Sequence, residues 1–173
     1  MIKKTSFKNL YIIENFSFKD ARGYFKELSR EKDLKVKLPF TVMSFSKKNV
    51  IRGLHLQKQR SQGKFITVLK GKIFDVAVDL RKNSKTFGKH FKIILSEKNC
   101  RSIYIPPGFA HGFCTLAKEN YVIYGCTNYR DKNSESGINY DDIDINIKWP
   151  IKKPILSSKD KKNMSLKEFL KNN

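Results

Sequence analysis

The sequence is poor in the residues that would announce a disulfide scaffold, a metal finger or a membrane span. It holds three cysteines, Cys100, Cys114 and Cys126, an odd number at wide spacing. That pattern excludes a disulfide framework and a CxxC metal clip, and reads as reduced thiols. Apolar stretches are interrupted within a few residues by Lys, Asp or Gly, so no transmembrane helix is expected. The opening MIKKTSFKNL has an early lysine pair but no apolar run of signal-peptide length, which argues for a cytosolic protein. Acidic residues are also few, 16 against 36 Lys plus Arg, for a formal net charge of +20. Such a field attracts nucleic acid, anionic membrane or phosphorylated metabolites. Yet only seven of the 36 cations are arginine, and the lysines are scattered singly or in pairs. No RNP-like aromatic motif, helix-turn-helix pattern or Cys/His finger accompanies them. We read the lysines as solvated surface that can also steer an anionic substrate, and expect neither a nucleic-acid nor a membrane partner.

What is present is core material, 39% hydrophobic and 12% aromatic with 13 Phe over 173 residues. That suffices for one domain spanning 1–173 and rules out global disorder. Strand periodicity dominates. In KIFDVAVDL (72–80), Phe74, Val76, Val78 and Leu80 fall on one face and Asp75 and Asp79 on the other, as in a half-buried strand. FITVLK (65–70) precedes it across a Lys70-Gly71-Lys72 turn, and 91–96, 101–105 and 121–129 continue the pattern. Pro106-Pro107-Gly108 is the strongest turn signal. Many short strands without a long amphipathic helix predict an all-β double-stranded β-helix or jelly roll with short peripheral helices. N-terminal strands would occupy 1–50, a core barrel about 51–130, and a C-terminal segment 150–173. A short helix or loop is expected at 30–37. A closing helix is expected at 165–172, capped by Ser165 with Leu166, Phe169 and Leu170 as its apolar face.

Chemistry has few places to sit. Of the three histidines, His90 reads as a surface or core residue. His55 has Arg52, Gln57 and Lys64 near it in sequence, and His111 follows the Pro-Pro-Gly turn. A metal-binding site of this fold would need HxH, a following Glu and a distant His. Here Gln57 stands two residues after His55, so no metal is expected. Without one, a histidine can act as general base, a buried lysine can stabilise an enolate oxygen, a tyrosine can donate a proton and an arginine can hold phosphates. Together these suit proton abstraction beside a carbonyl on a phosphate-bearing substrate.

Seven segments sharpen this reading: DARGYFKE (20–27), IRGLHLQ (51–57), QGK (62–64), GKIFDVAVDLRKNSKTFGK (71–89), IPPGFAHGF (105–113), GINYDDIDINIKWP (137–150) and LSSKD (156–160). Collinear and distributed along the chain, they resemble the dTDP-4-dehydrorhamnose 3,5-epimerase family. The resemblance implies a metal-free, cofactor-free, cupin-like jelly roll that forms homodimers. It also implies epimerisation of a dTDP-4-keto-6-deoxyhexose in nucleotide-sugar and surface-polysaccharide synthesis. It makes His55 the base, Asp160 its orienting partner and Lys64 the stabiliser of the enolate, with His111 lining the sugar pocket and Gln57 and Arg130 as further substrate-binding residues. Arg52 would bind diphosphate. Arg22, Phe25 and Glu27 would bind nucleotide, within reach of a neighbouring subunit's site. Counted forward from GFAHGF, the family's proton-donating tyrosine falls at Arg130, with Tyr129 one residue earlier. A regular strand turns Tyr129 to the opposite face, so the acid is either Tyr129 through a bulge or another group. Phe40 and Val42 stand where relatives often carry Gln and Asn, and Leu56 where an aromatic is common. These departures leave open a full 3,5-epimerase, an epimerase at carbon 3 only, a relative acting on another nucleotide sugar, and a non-catalytic sugar-binding jelly roll.

Overall fold

The strand signals resolve into antiparallel sheets in the computed structural model, which describes residues 1–172. In chain order the strands are β1 (Ile2–Lys4), β2 (Tyr11–Glu14), β3 (Ser17–Asp20), β4 (Gly23–Lys26), β5 (Phe40–Lys47), β6 (Ile51–Gln57), β7 (Lys64–Lys70), β8 (Lys72–Asp79), β9 (His90–Ser96), β10 (Arg101–Ile105), β11 (Phe109–Thr115), β12 (Glu119–Cys126) and β13 (Glu135–Gly137). One sheet has six strands in the order β1-β2-β10-β7-β12-β5, the other five in the order β13-β6-β11-β8-β9. Strands β3 and β4 form a separate hairpin. The chain passes from one sheet to the other at Gly71 (φ +92°), between β7 and β8, and at Gly108 (φ +86°), between β10 and β11. Both conformations suit glycine. Two sheets exchanging strands in this way make the expected jelly roll.

The space between the sheets is filled from both sides, by Ile66, Val68, Ile103 and Val122 of one and Ile73, Ala77, Leu95 and Phe113 of the other. The alternation of β8 is present, but its two faces are both buried, contrary to the half-buried strand predicted. Val76, Val78 and Leu80 face outward, beneath a C-terminal layer that includes Ile145, Ile147, Leu166 and Phe169. Asp75 and Asp79, both fully buried, share the inner face with Ile73 and Ala77. An aspartate on that face therefore marks an internal hydrogen-bonding role. Asp79 accepts from Arg81, Ser84 and Thr86, which outweigh the burial that raises its pKa and bring it down to about 2.

The helices are short, as predicted. α1 (Glu31–Leu34) lies within the expected 30–37, and α2 (Leu166–Lys171) closes the chain. Ser165 caps α2 in a capping box with Glu168. Leu166 and Phe169 are its buried face, whereas Leu170 is turned outward and 41% exposed. A six-residue helix has room for one narrow apolar stripe, and Leu170 falls beside it.

Candidate active site

At one end of the sandwich the inner faces part to leave a cavity of about 730 Å³, a size typical of small-molecule sites. One wall is β6 and β11, the other β5, β7 and β12. The first wall owes its chemistry to an irregular register. His111 pairs with His55, but Phe113 pairs with Arg52, so three steps on β6 oppose two on β11. The extra residue of this bulge interrupts the alternation that would otherwise separate Arg52 from His55. Both line the cavity. Gly53 makes the bulge possible: its φ is +125°, and a Cβ there would meet the Gly112 Cα at 2.5 Å and the His111 oxygen at 2.8 Å.

His55 Nε2 lies 2.6 Å from Asp160 Oδ1, across 105 residues of chain. Asp160 is 5% exposed, in the 3-10 turn Asp160–Lys162. Burial disfavours its charge, but the His55 hydrogen bond, with lesser help from the Gly53 N–H and Ser157, holds the carboxyl below its usual range. The ionised carboxylate accepts a hydrogen bond from Nε2–H, and the neutral tautomer selected in this way carries its lone pair on Nδ1. The Lys64 ammonium donates to the His55 carbonyl at 3.3 Å. Burial lowers its pKa, and the charges of Asp75 and Glu135 are among those that oppose the shift. His111, 4% exposed, makes a second carboxylate pair, with Nε2 2.8 Å from Asp75 Oδ2.

The structure puts His55, Lys64, Asp160, Arg52, His111, Gln57 and Arg130 around one cavity. Gln57, however, spends its amide on the loops after β6 and β12: Nε2 donates to the Arg60 and Tyr129 carbonyls and Oε1 accepts from the Asp131 N–H. It ties the two loops together and has little left for a ligand. Arg52 is anchored through Nε to Ser46 and through one NH2 to the Phe45 carbonyl. Arg130 stands at the rim, bonded to Glu135, which also takes Lys159. These cations bring the Glu135 pKa down to about 2. Phe40, Val42 and Ser44 of β5 line the opposite wall. Arg22, Phe25 and Glu27 lie on or beside the β3–β4 hairpin, outside this chain's own cavity. There Arg22 pairs with Asp20 and Glu27 with Arg30.

Tyr129 does not reach the cavity. β12 ends at Cys126, and the Tyr129 ring lies 66% exposed against Phe40. The cavity tyrosine is instead Tyr124, which sequence reasoning missed. Its hydroxyl is 3.0 Å from Ser44 Oγ, and its ring meets that of His111 edge-on at 6.4 Å. Burial pushes its pKa up, against smaller opposing effects of Ser44 and Arg52. The alternation of Tyr124 and Cys126, on the face opposite Gly125, was the available signal.

A jelly roll whose cavity joins a carboxylate-backed histidine to a lysine and a facing tyrosine is built for acid–base catalysis on a small molecule, as an isomerase. The family model described as dTDP-4-dehydrorhamnose 3,5-epimerase matches residues 4–168. The enzyme of that name from Methanothermobacter thermautotrophicus is 44% identical over 95% of this chain and 94% of its own length. That of Escherichia coli strain K12 is 38% identical over 97% and 95%. The Legionella pneumophila dTDP-6-deoxy-D-glucose-3,5-epimerase, solved with dTDP-4-keto-L-rhamnose, superposes with a TM-score of 0.92 at 41% identity, covering 96% of this chain and 93% of that one. The Sulfolobus tokodaii enzyme superposes with a TM-score of 0.89 at 42% identity over 96% of each chain. This chain belongs to the dTDP-4-dehydrorhamnose 3,5-epimerase family.

Proposed function

We propose that this protein inverts carbons 3 and 5 of dTDP-4-keto-6-deoxyglucose, giving dTDP-4-dehydro-L-rhamnose. The observation that carries the reading is the 2.6 Å His55–Asp160 contact beside Lys64, in a cavity whose far wall presents Tyr124. His55 Nδ1 removes the proton on carbon 3, made acidic by the neighbouring ketone. The C–H electrons form the C3–C4 double bond and the carbonyl π pair moves onto oxygen 4, where the Lys64 ammonium stabilises the oxyanion. Tyr124, kept protonated at neutral pH by its burial, delivers a proton to the opposite face of carbon 3 as the ketone re-forms. The phenolate regains a proton from solvent and His55 releases its own, so configuration alone changes. The same cycle acts at carbon 5. Arg52 holds the diphosphate, and His111 closes the sugar pocket. The dTDP-4-keto-L-rhamnose bound to the Legionella relative supports this substrate class.

The working form is a cytoplasmic homodimer that binds no cofactor. Phe18, Tyr24 and Phe25 stand 66, 59 and 68% exposed on the hairpin beside Arg22, and Arg22, Phe25 and Glu27 complete the partner's nucleotide site. Light scattering at the mass of two chains is the expected result. A second reading, inversion at carbon 3 alone or of another 4-keto nucleotide sugar, draws on Arg130 at the rim and the apolar Phe40–Val42 wall. Proton NMR of dTDP-4-keto-6-deoxyglucose in deuterium oxide separates the two. Loss of both signals with formation of the inverted sugar supports 3,5-epimerisation, loss at carbon 3 alone supports inversion at that carbon only, and no exchange overturns both of these and leaves another 4-keto nucleotide sugar as the substrate to test.

A further inference from the structure

The carboxylate that orients His55 arrives on a turn outside both sheets, so something must fix its depth against β6. Before the turn, Val50 and Ile155 form a bridge, with the Ile155 N–H donating to the Asn49 carbonyl at 2.7 Å. After it, Ile138 and Met164 form another, with the Asn139 N–H donating to the Met164 carbonyl at 2.8 Å. Between them, Asn163 Nδ2 donates to the Gly53 carbonyl at 3.2 Å and approaches the Ile138 carbonyl at 3.5 Å. From the other end of the same turn, Asp160 Oδ2 faces the Gly53 N–H at 3.5 Å. One residue of β6, two positions from the base, is thus gripped through both its N–H and its carbonyl.

The strand facing this grip is shaped for it. Gly137 of β13 lies directly opposite His55 in register. A Cβ at 137 would come within 2.5 Å of Asn163 Cγ and 2.7 Å of Nδ2, closer than real Cβ contacts. Gly137 has no need of a left-handed backbone, since it is absent from the glycines with positive φ. Its missing side chain is explained by the space Asn163 occupies.

We propose that Asn163, seated in the space left by Gly137, is a positioning residue that sets the His55–Asp160 geometry by tying the Asp160 turn to Gly53. It touches no substrate in this role and acts through Asp160. The inference rests on His55 being the base, as proposed above. Catalysis is steep in geometry, a displacement of about 1 Å costing about a hundredfold. A loosened turn should therefore lower turnover far more than it lowers affinity.

The test compares Asn163→Ala, Asn163→Asp, Gly137→Ala and the Asn163→Ala/Gly137→Ala pair, by deuterium incorporation at carbon 3, KM for the nucleotide sugar, and thermal melting. Each single variant is expected to lose about tenfold or more in kcat, with KM within about twofold. Asn163→Asp removes the donor while keeping the shape, so it serves if the alanine variant does not fold. In the pair, the alanine methyl at 137 enters the space that Asn163 vacates, and melting recovers toward wild type. Turnover should not recover with it, because the bond to Gly53 is still missing. Wild-type turnover in Asn163→Asp, or joint recovery of stability and turnover in the pair, would overturn the proposal while leaving the base assignment intact. Absence of exchange in the wild-type protein would instead remove the reading on which it rests.

Discussion

Replacing Tyr124 by Phe deletes one oxygen from the wall opposite His55 and little else. The ring keeps its edge-on contact with His111 at 6.4 Å and its tilted contact with Phe113 at 6.2 Å. Among the described residues the hydroxyl hydrogen-bonds to Ser44 Oγ, at 3.0 Å. Losing one such neutral bond costs about 1 kcal/mol, so the fold should persist with a melting temperature a few degrees lower. The chemical effect is far larger and selective. In the proposed mechanism proton abstraction depends on His55, Asp160 and Lys64, none of which is altered, so deuterium should still enter carbon 3 from the original face. Delivery to the opposite face loses its donor, and general acid catalysis contributes about 10²- to 10⁴-fold. Product formation should fall by that factor while exchange falls much less. The assay is one NMR time course in deuterium oxide, reading exchange and inverted product from the same tube, with Tyr129→Phe alongside as the control expected to behave as wild type. Product formed at the wild-type rate by Tyr124→Phe, or its loss in Tyr129→Phe, would falsify the assignment of the acid.

The buried Asp79 makes stability depend on pH. Its folded pKa, about 2, lies below the ordinary 3.8, so its contribution is complete above the unfolded value and is lost as pH falls from about 4 toward 2. Urea melts at descending pH should show this decline, and Asp79→Asn should flatten it at the cost of lower stability at pH 7. The charge of +20 predicts a kcat/KM for the dianionic nucleotide sugar that falls with added salt while kcat holds, because screening acts on encounter. A kcat/KM unchanged between low and high salt would mean that the lysines do not steer the substrate.

Much of the fold was legible because strands with one consistent alternation announce themselves. The 101–105 strand is observed over Arg101–Ile105 as expected, and 65–70 and 91–96 each begin one residue earlier in the structure. Burial was harder to read. In β8, alternation told which residues share a face but not that the aspartate face points inward, because the covering layer comes from distant segments such as Ile145 and Phe169. The same limit explains Asp160: the LSSKD motif marked it through a resemblance, and no local pattern states that residue 160 folds back on residue 55.

The tyrosine shows where counting along a chain stops being a structural argument. The position counted forward from GFAHGF is Arg130, with Tyr129 beside it, but β12 has ended at Cys126, and beyond it the chain's course is set by Gln57 bonding to the Tyr129 carbonyl and the Asp131 N–H. Parity has no meaning in that loop. Within the strand it does: Cys126 pairs with Lys64 on the neighbouring strand, and Tyr124 lies two residues from Cys126 on the same side, which is the cavity side. The part of β12 that pairs regularly with β7, from Val122 to Cys126, thus delivers the tyrosine and the lysine to one wall. The opposite wall needed an irregularity, the bulge at Gly53, to bring Arg52 and His55 to the same cavity. The proposed acid and base are placed by opposite means, one by keeping the pleat and the other beside a break in it, and this is why alternation alone could find only half of the site.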